Sequence, residues 1–376
     1  MRHFNLSGFR WLAATSLLLL NACHSSDSTP APVVSTTAFY RGADLSFTPE
    51  AEASGVTFTD GGQITTTLAA LQRHGGNLVR LRLWHTPAAG HSGLAEVTAF
   101  AHRAKQAGLA VLLDIHYADS WADPSQQPTP AAWQNLPLAT LQDSVYGYTR
   151  HVLQVLTAQQ ARPDLVQIGN EINGGMLWPQ GQVRSESDYP TLAALLSKGL
   201  AAVAAENAGA ATPIRTVVHY AGAEYAASFF SQLAQLGVRP DVQGLSYYPL
   251  YHGRDLAVCQ QQLTALVQQT SRDVLVVETS YPFTLAWNDY TNNQLGTTSQ
   301  LVPGFAATPA GQQAFLTDLS RRLKALPGGH GIGFCYWAPE WVAWHGSTAT
   351  DGSPWENQTL FDFNNAALPA WAAFAP

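Results

Sequence analysis

The chain reads as an α/β protein, a single closed (β/α)8 TIM barrel with long loops at the C-terminal ends of its strands. Three observations carry that reading. Short apolar, β-branched runs alternate with helix-like runs about eight times between Phe39 and Trp337. The loops that follow the strands are long and rich in aromatic and polar residues. No Gly-rich phosphate loop follows any strand, which disfavours the alternative, an open doubly wound sheet.

The elements follow in order. Phe39–Ser46 is the first strand. Gln63–His74 has helical apolar spacing at Ile64, Leu68 and Leu71, and Gly75-Gly76 closes it. Leu78–Trp84 alternates strictly, so Arg80, Arg82 and Trp84 share one face of a second strand. A helix over Leu94–Ala107 stops at Gly108, and Ala110–Tyr117 is the third strand. An aromatic, Pro-rich loop runs from Ala118 to about Pro137, ahead of a helix over Leu141–Ala158. The fourth strand, Leu165–Ile168, ends abruptly in Gly169-Asn170-Glu171, an amide and a carboxylate that no core requires. After a loop over Gly174–Tyr189 and an Ala/Leu-rich helix over Thr191–Ala208 come strands at Ile214–Ala221 and Val242–Tyr248. Asp273–Thr279 repeats the fourth strand's design, an apolar run leading to Glu278, and Gly331–Trp337 is the eighth.

In such barrels the strand C-termini build the active site. Those positions carry Asp44, Arg80, Arg82, Trp84, His116, Tyr117, Asn170, Glu171, His219, Tyr247, Tyr248, Glu278 and Trp337. Two carboxylates on one rim, with amide and cationic groups beside them, suit glycoside hydrolysis. One acid protonates the leaving oxygen, and one carboxylate acts as nucleophile or as base for water. Aromatic faces pack on the apolar C–H faces of sugars without demanding charge. Each residue also has a plainer reading. A glutamate can be a solvated loop residue, and Arg80 or Arg82 can fill a polar barrel layer paired with an acid. Asp114, inside the third strand, can be structural, and His116 and His219 can be satisfied core histidines. Those histidines with Asp119 raise a metal hydrolase, but no metal-ligand spacing accompanies them.

Composition narrows the partners. The formal charge is −7, and charged residues are only 12% of the chain. With no Lys/Arg cluster, nucleic acid and anionic polymers are excluded as charge-bound ligands. Eleven Trp and thirteen Tyr suit a neutral, ring-shaped one. Residues 1–22 carry Arg2 and Arg10, then an apolar run from Trp11 to Leu20 that is too short to span a bilayer, and read as a signal peptide. Leu20-Asn21-Ala22-Cys23 resembles a bacterial lipoprotein box, which makes Cys23 the expected lipidated residue; plain secretion is the alternative. Residues 23–38, rich in Ser, Thr and Pro, read as a flexible tether, leaving 39–376 as the barrel. Cys259 and Cys335, without framework spacing, are expected to be buried free thiols.

Several ordered blocks carry a more specific likeness. They are Tyr40–Asp44, Asn77–Trp84, Asp114–Pro124 with its Tyr117-x-Asp119-x-Trp121-Ala122-Asp123-Pro124 run, and Gly169–Ile172 with Leu177-Trp178-Pro179. Ser246–Pro249, Val277–Thr279 with Tyr281-Pro282, and Tyr336-Trp337 with Pro339 and Trp341 complete them. The set resembles glycoside hydrolase family 53 of clan A, the endo-β-1,4-galactanases. That resemblance implies Glu171 as acid/base and Glu278 as nucleophile of a retaining double displacement. Asn170 would bind the sugar 2-hydroxyl, Arg80 would hold Glu278 ionised, and His219 would tune Glu171. Asp44, Arg82, Trp84, His116, Asp119, Trp121, Trp178, His219, Tyr247, Tyr248, Trp337 and Trp341 would line the substrate path. It implies action on β-1,4-galactan or type I arabinogalactan with no cofactor required, and with the amino-terminal signal the expectation is an exported, lipid-anchored monomer. Some relatives hold a calcium ion between the last two long loops, and Asn288, Asp289 and Asp351 are its candidate ligands here. Ala118, Ala221 and Glu340 depart from the family pattern. Mannan or β-glucan hydrolysis, and glycan binding without cleavage, remain the rival activities.

Overall fold

The structure is a computed structural model that describes residues 38–376. The expected signal peptide, Cys23 and the tether up to Thr37 lie outside the described residues. Among the described residues no helix is long and apolar enough to cross a membrane.

Eight parallel strands close into a barrel: β1 (Tyr40–Asp44), β2 (Leu78–Leu83), β3 (Ala110–Ile115), β4 (Leu165–Ile168), β5 (Arg215–Ala221), β6 (Val242–Tyr247), β7 (Asp273–Thr279) and β8 (Gly331–Trp337). Each pairs with its sequence neighbours, and β1 closes the ring on β8. The expected fold class is the observed one. Covered on both faces, most of these strands read as largely apolar runs, whereas β2 alternates because Arg80 and Arg82 follow Leu78 on its inward face. Inside the barrel, Leu78, Leu112, Leu165, Val217, Val242, Leu275, Val277 and Cys335 form an apolar floor. Two residues further along most of these strands, the same inward parity gives polar side chains, so the site stands directly on packed hydrocarbon. Gly42 makes room for that floor: a Cβ there would lie 2.5 Å from Cys335 Sγ. Cys259 and Cys335 are both buried and free, as expected.

Among the described residues, seven α-helices of seven residues or more wrap the barrel: α1 (Thr67–Arg73), α2 (Leu94–Gln106), α3 (Leu138–Ala158), α4 (Tyr189–Asn207), α5 (Ala226–Gln235), α6 (Leu256–Thr270) and α7 (Pro309–Lys324). The eighth place is taken by a 3₁₀ segment, Pro369–Phe374, packed on α7, with Trp371 and Phe374 fully buried. One expectation is corrected. The helix expected over Gln63–His74 begins only at Thr67, where Thr66 caps it by accepting the Ala69 N–H. Gln63–Thr65 instead pairs with Phe58–Asp60 across the Gly61-Gly62 turn, leaving Ile64 78% exposed. The Ile64 spacing mimicked a helical stripe that the glycine turn overrides.

Glu340, on the loop after β8, ties that loop to the one after β1. Its Oε1 accepts from Phe47 N–H at 3.1 Å and from the Thr48 hydroxyl at 3.2 Å, while Oε2 has no partner. Burial, with Asp44 nearby, pushes its carboxyl from the ordinary 4.5 up to about 8. The folded chain therefore holds a proton that the unfolded chain releases, so stability is full below the unfolded value and falls as pH rises towards the folded one. Glu340→Gln should be level with the parent in stability at pH 4 and above it at pH 8, by on the order of 4 kcal/mol. A gap independent of pH would show that proton binding is not the cause.

Candidate active site

At the C-terminal rim of the barrel the Arg80 guanidinium is the hub. It is 1% exposed and reaches Asp44 Oδ2 at 2.6 Å, Asp114 Oδ2 at 2.8 Å and Glu278 Oε1 at 2.7 Å. It also donates to Asn170 Oδ1 at 2.9 Å. Asp114 is thereby structural in the useful sense, since its Oδ2 also meets His116 Nε2 at 2.9 Å. So dense a set of charges is stable only because the guanidinium fork is shared among the carboxylates.

Two backbone irregularities aim the glutamates. On β7, Leu275 and Val277 face the barrel floor, so strict alternation would turn Glu278 outward. A bulge intervenes: Leu245 pairs with Val276 but Ser246 with Glu278, and β8 shows the same slip between Phe334 and Tyr336. The extra residue swings Glu278 inward onto Arg80, the re-aiming for which bulges recur beside active sites. Tyr248 O–H donates to Glu278 Oε2 at 2.8 Å. Glu171 sits in the left-handed region at φ +48°, unusual for a residue with a Cβ, just after Gly169 at φ +80°. Ser246 Oγ lies 2.5 Å from Glu171 Oε1. His219, fully buried on β5, stands behind Ser246 at 2.8 Å and beside Asn170 at 2.9 Å.

Both glutamates line one cavity of about 860 Å³. Arg80, Arg82, His116, Trp121, Asn170, Tyr248, Trp337 and Trp341 share its wall, as expected of them. Arg82 has no carboxylate at bonding distance. It hydrogen-bonds Ser92 Oγ and is caged by the rings of Phe47, Trp84 and Trp121 at 4.7, 4.5 and 4.1 Å. That cage fixes Trp121 against the cavity.

Six residues expected on the substrate path do not line this cavity, and each is engaged locally. Asp44 is spent on Arg80 and Ser46. Trp84 packs behind Arg82 and Trp121. Asp119 fastens two loops by accepting the N–H groups of Thr86 and Ala131. Trp178 turns back on its own loop, donating to Gly174 O. His219 lies one layer beneath, and Tyr247 points outward into the core with its hydroxyl on Gly253 O. Sequence reasoning missed Asn173, Gln294 and Trp355, which line the cavity from loops, and Tyr251 and His252, which line it from the short helix Pro249–His252.

With this geometry in view, likeness to known proteins becomes informative. Residues 40–374 match the family described as Glycosyl hydrolase family 53. The chain belongs to that family. It is a glycoside hydrolase. An arabinogalactan endo-β-1,4-galactanase of Cellvibrio japonicus is 37% identical over 370 residues, covering 96% of each chain. The endo-β-1,4-galactanase of Bacillus subtilis is 30% identical, covering 89% of this chain and 85% of the relative. Among solved structures, the family 53 catalytic domain of Ignisphaera aggregans superposes with a TM-score of 0.84 at 35% identity. That match covers 92% of this chain and 99% of the other.

In this family 53 site the two carboxyls are unequal. Burial raises both, Glu171 to about 8 with the Glu278 charge adding to it, and Glu278 to about 7 against the pull of Arg80. The pair behaves as two acids that cannot both ionise near neutrality. Arg80 and the Tyr248 hydroxyl place the charge on Glu278, which leaves the proton on Glu171.

Proposed function

We propose that this hydrolase cuts internal β-1,4-galactosidic bonds of galactan or type I arabinogalactan by double displacement with net retention. The observation that carries the proposal is the asymmetric pair: one carboxylate held by Arg80 and Tyr248, one carboxyl facing Ser246, both on one aromatic-walled cavity. Glu278 attacks the anomeric carbon while Glu171 gives its proton to the departing glycosidic oxygen, leaving a galactosyl ester on Glu278. Glu171, now a carboxylate, takes a proton from water as its oxygen attacks the ester, and both side chains return to their first states. Asn170, held by Arg80, offers its amide to the sugar 2-hydroxyl. Trp121, Trp337, Trp341 and Trp355 supply faces for neighbouring rings. The galactan preference rests on the named relatives. Reducing-sugar release from linear galactan, set against mannan and cellulose, tests it, with the anomer of the first product followed by NMR. Cleavage of mannan or cellulose with galactan untouched would reject the substrate.

The paired titration predicts a bell-shaped kcat/KM. Activity falls on the acid side as Glu278 gains a proton and on the alkaline side as Glu171 loses one. Glu171→Gln should abolish the alkaline limb in whatever activity remains on activated galactosides. A limb that survives the substitution belongs to another group.

The loops after β7 and β8 suit the calcium ion that some relatives hold. Asp289 Oδ2, Asn293 Oδ1 and Glu356 Oε2 are buried oxygens without hydrogen-bond partners, and Asp289 and Asn293 stand beside Glu356. Hard oxygen acceptors of this kind are calcium ligands. Asp351, an expected ligand, is 83% exposed and turned to His345, and Asn288 gives its backbone N–H to Glu356, so the site proposed here takes Asn293 and Glu356 in their place. Bound there, calcium would neutralise two carboxylates and clamp the loop that carries Trp355. Added calcium should raise the melting temperature by several degrees and a chelator should reverse it. An Asp289→Ala protein that responds equally would place the ion elsewhere.

A further inference from the structure

The hydrogen-bond polarity around Glu171 can be read from its far end. Asn170 has a fixed amide orientation, because Nδ2 faces the Ala122 carbonyl at 2.9 Å and Oδ1 faces Arg80 Nη2 at 2.9 Å. A carbonyl cannot donate and a guanidinium cannot accept, so no flip is allowed. Asn170 Oδ1 also lies 2.9 Å from His219 Nδ1, and two acceptors do not approach so closely without a proton between them. His219 therefore donates from Nδ1. It is also neutral, since burial and the Arg80 charge hold its pKa well below the ordinary value. Its Nε2 is then a bare acceptor 2.8 Å from Ser246 Oγ, and the serine proton is spent there. What remains on Ser246 Oγ for the 2.5 Å contact with Glu171 is a lone pair.

We propose that Asn170, acting through His219 and Ser246, holds the catalytic proton on Glu171, which makes Ser246 and His219 positioning residues of the hydrolysis. The proposal deepens the acid/base reading of Glu171 and rests on it. The chain runs Glu171 O–H to Ser246 Oγ, Ser246 O–H to His219 Nε2, and His219 Nδ1–H to Asn170 Oδ1. The reverse polarity would set a bare Nδ1 against Asn170 Oδ1. The donors that would favour it are longer: Gln167 Nε2 at 3.1 Å and the Glu171 backbone N–H at 3.3 Å. Gln167 has other acceptors in Asp114 Oδ1 at 2.5 Å and Gly169 O at 3.1 Å. The groups facing Glu171 from the other elements are Glu278, Arg80, Asp123, Tyr248 and Tyr251. None of them supplies a second acceptor bonded to the Glu171 carboxyl. Once the proton leaves with the sugar oxygen, the Glu171 carboxylate faces the Ser246 lone pair. That contact makes it a stronger base for the water that follows.

Two readouts test the chain. In protein labelled with 15N-histidine, His219, assigned by its loss in His219→Gln, should show the Nδ1–H tautomer at pH 6. In the pH profile of kcat/KM on galactan, Ser246→Ala should move the alkaline limb to lower pH by about one unit, because protonated Glu171 loses its acceptor. Ser246→Thr should restore it. Thermal melting of both variants separates this shift from unfolding, which lowers activity at every pH. An Nε2–H tautomer overturns the proposal. So does a limb that stays put or moves to higher pH, the latter meaning that Ser246 donates to a carboxylate. Should the parent leave galactan uncut, the hydrolytic reading fails, while the tautomer still decides the hydrogen-bond chain.

Discussion

Glu278→Ala should leave a folded protein that still binds galactan and hardly cuts it, with kcat lower by on the order of 10⁵-fold. Two separate losses add up. The covalent route disappears with the nucleophile, and Arg80 is left with one carboxylate fewer in a buried cluster. The hole left behind is small, and Arg80 keeps Asp44 and Asp114, so the barrel should survive. Azide fits such a hole, carries the negative charge that Arg80 lacks, and attacks from the face Glu278 used. The product should be the α-galactosyl azide, with no enzyme left to invert it a second time. Rescue that yields the β-azide would mean the attacking face has been assigned to the wrong glutamate. Melting curves that collapse would show instead that Glu278 serves chiefly to neutralise Arg80.

The sequence makes the barrel legible because a doubly covered parallel strand has few ways to be written. Leu165, Val166 and Ile168, like Val274–Val277, are apolar and mostly β-branched with both faces buried, and nothing else in a chain of low charge looks like them. The rim was legible for the same reason, since a carboxylate at the end of such a run has no place in a core. What parity alone cannot give is direction. It turns Glu278 away from the cavity, and only the slip of β7 against both neighbours brings it back. Tyr247 and Tyr248 look equivalent in the chain, yet one hydroxyl goes to Gly253 O and the other to Glu278. Ser246 carries no signal of its own; it matters because His219 and Glu171 meet on it. Trp355, Asn173 and Gln294 lie on loops whose path depends on long-range packing, so no local pattern could have placed them.

Glu171→Ala should behave differently from the loss of Glu278, and the difference is what distinguishes acid from nucleophile. Without Glu171 the first step fails for galactan, whose leaving alkoxide needs a proton, by roughly 10²- to 10⁴-fold. A dinitrophenyl galactoside needs no such help, so its ester on Glu278 should form quickly and then accumulate, because no base remains to activate water. A burst of phenolate followed by slow turnover is the expected trace. Azide needs no base, so it should release the stalled ester as the β-galactosyl azide. That product has the opposite anomeric configuration to the one expected from Glu278→Ala. Ser246 and His219 stay in place in this variant, and His219 loses only its distant neighbour. An alanine variant that shows no burst on the activated substrate, or that gives the α-azide, would exchange the two roles. The asymmetry that Arg80 and Tyr248 impose on the pair would then need another explanation.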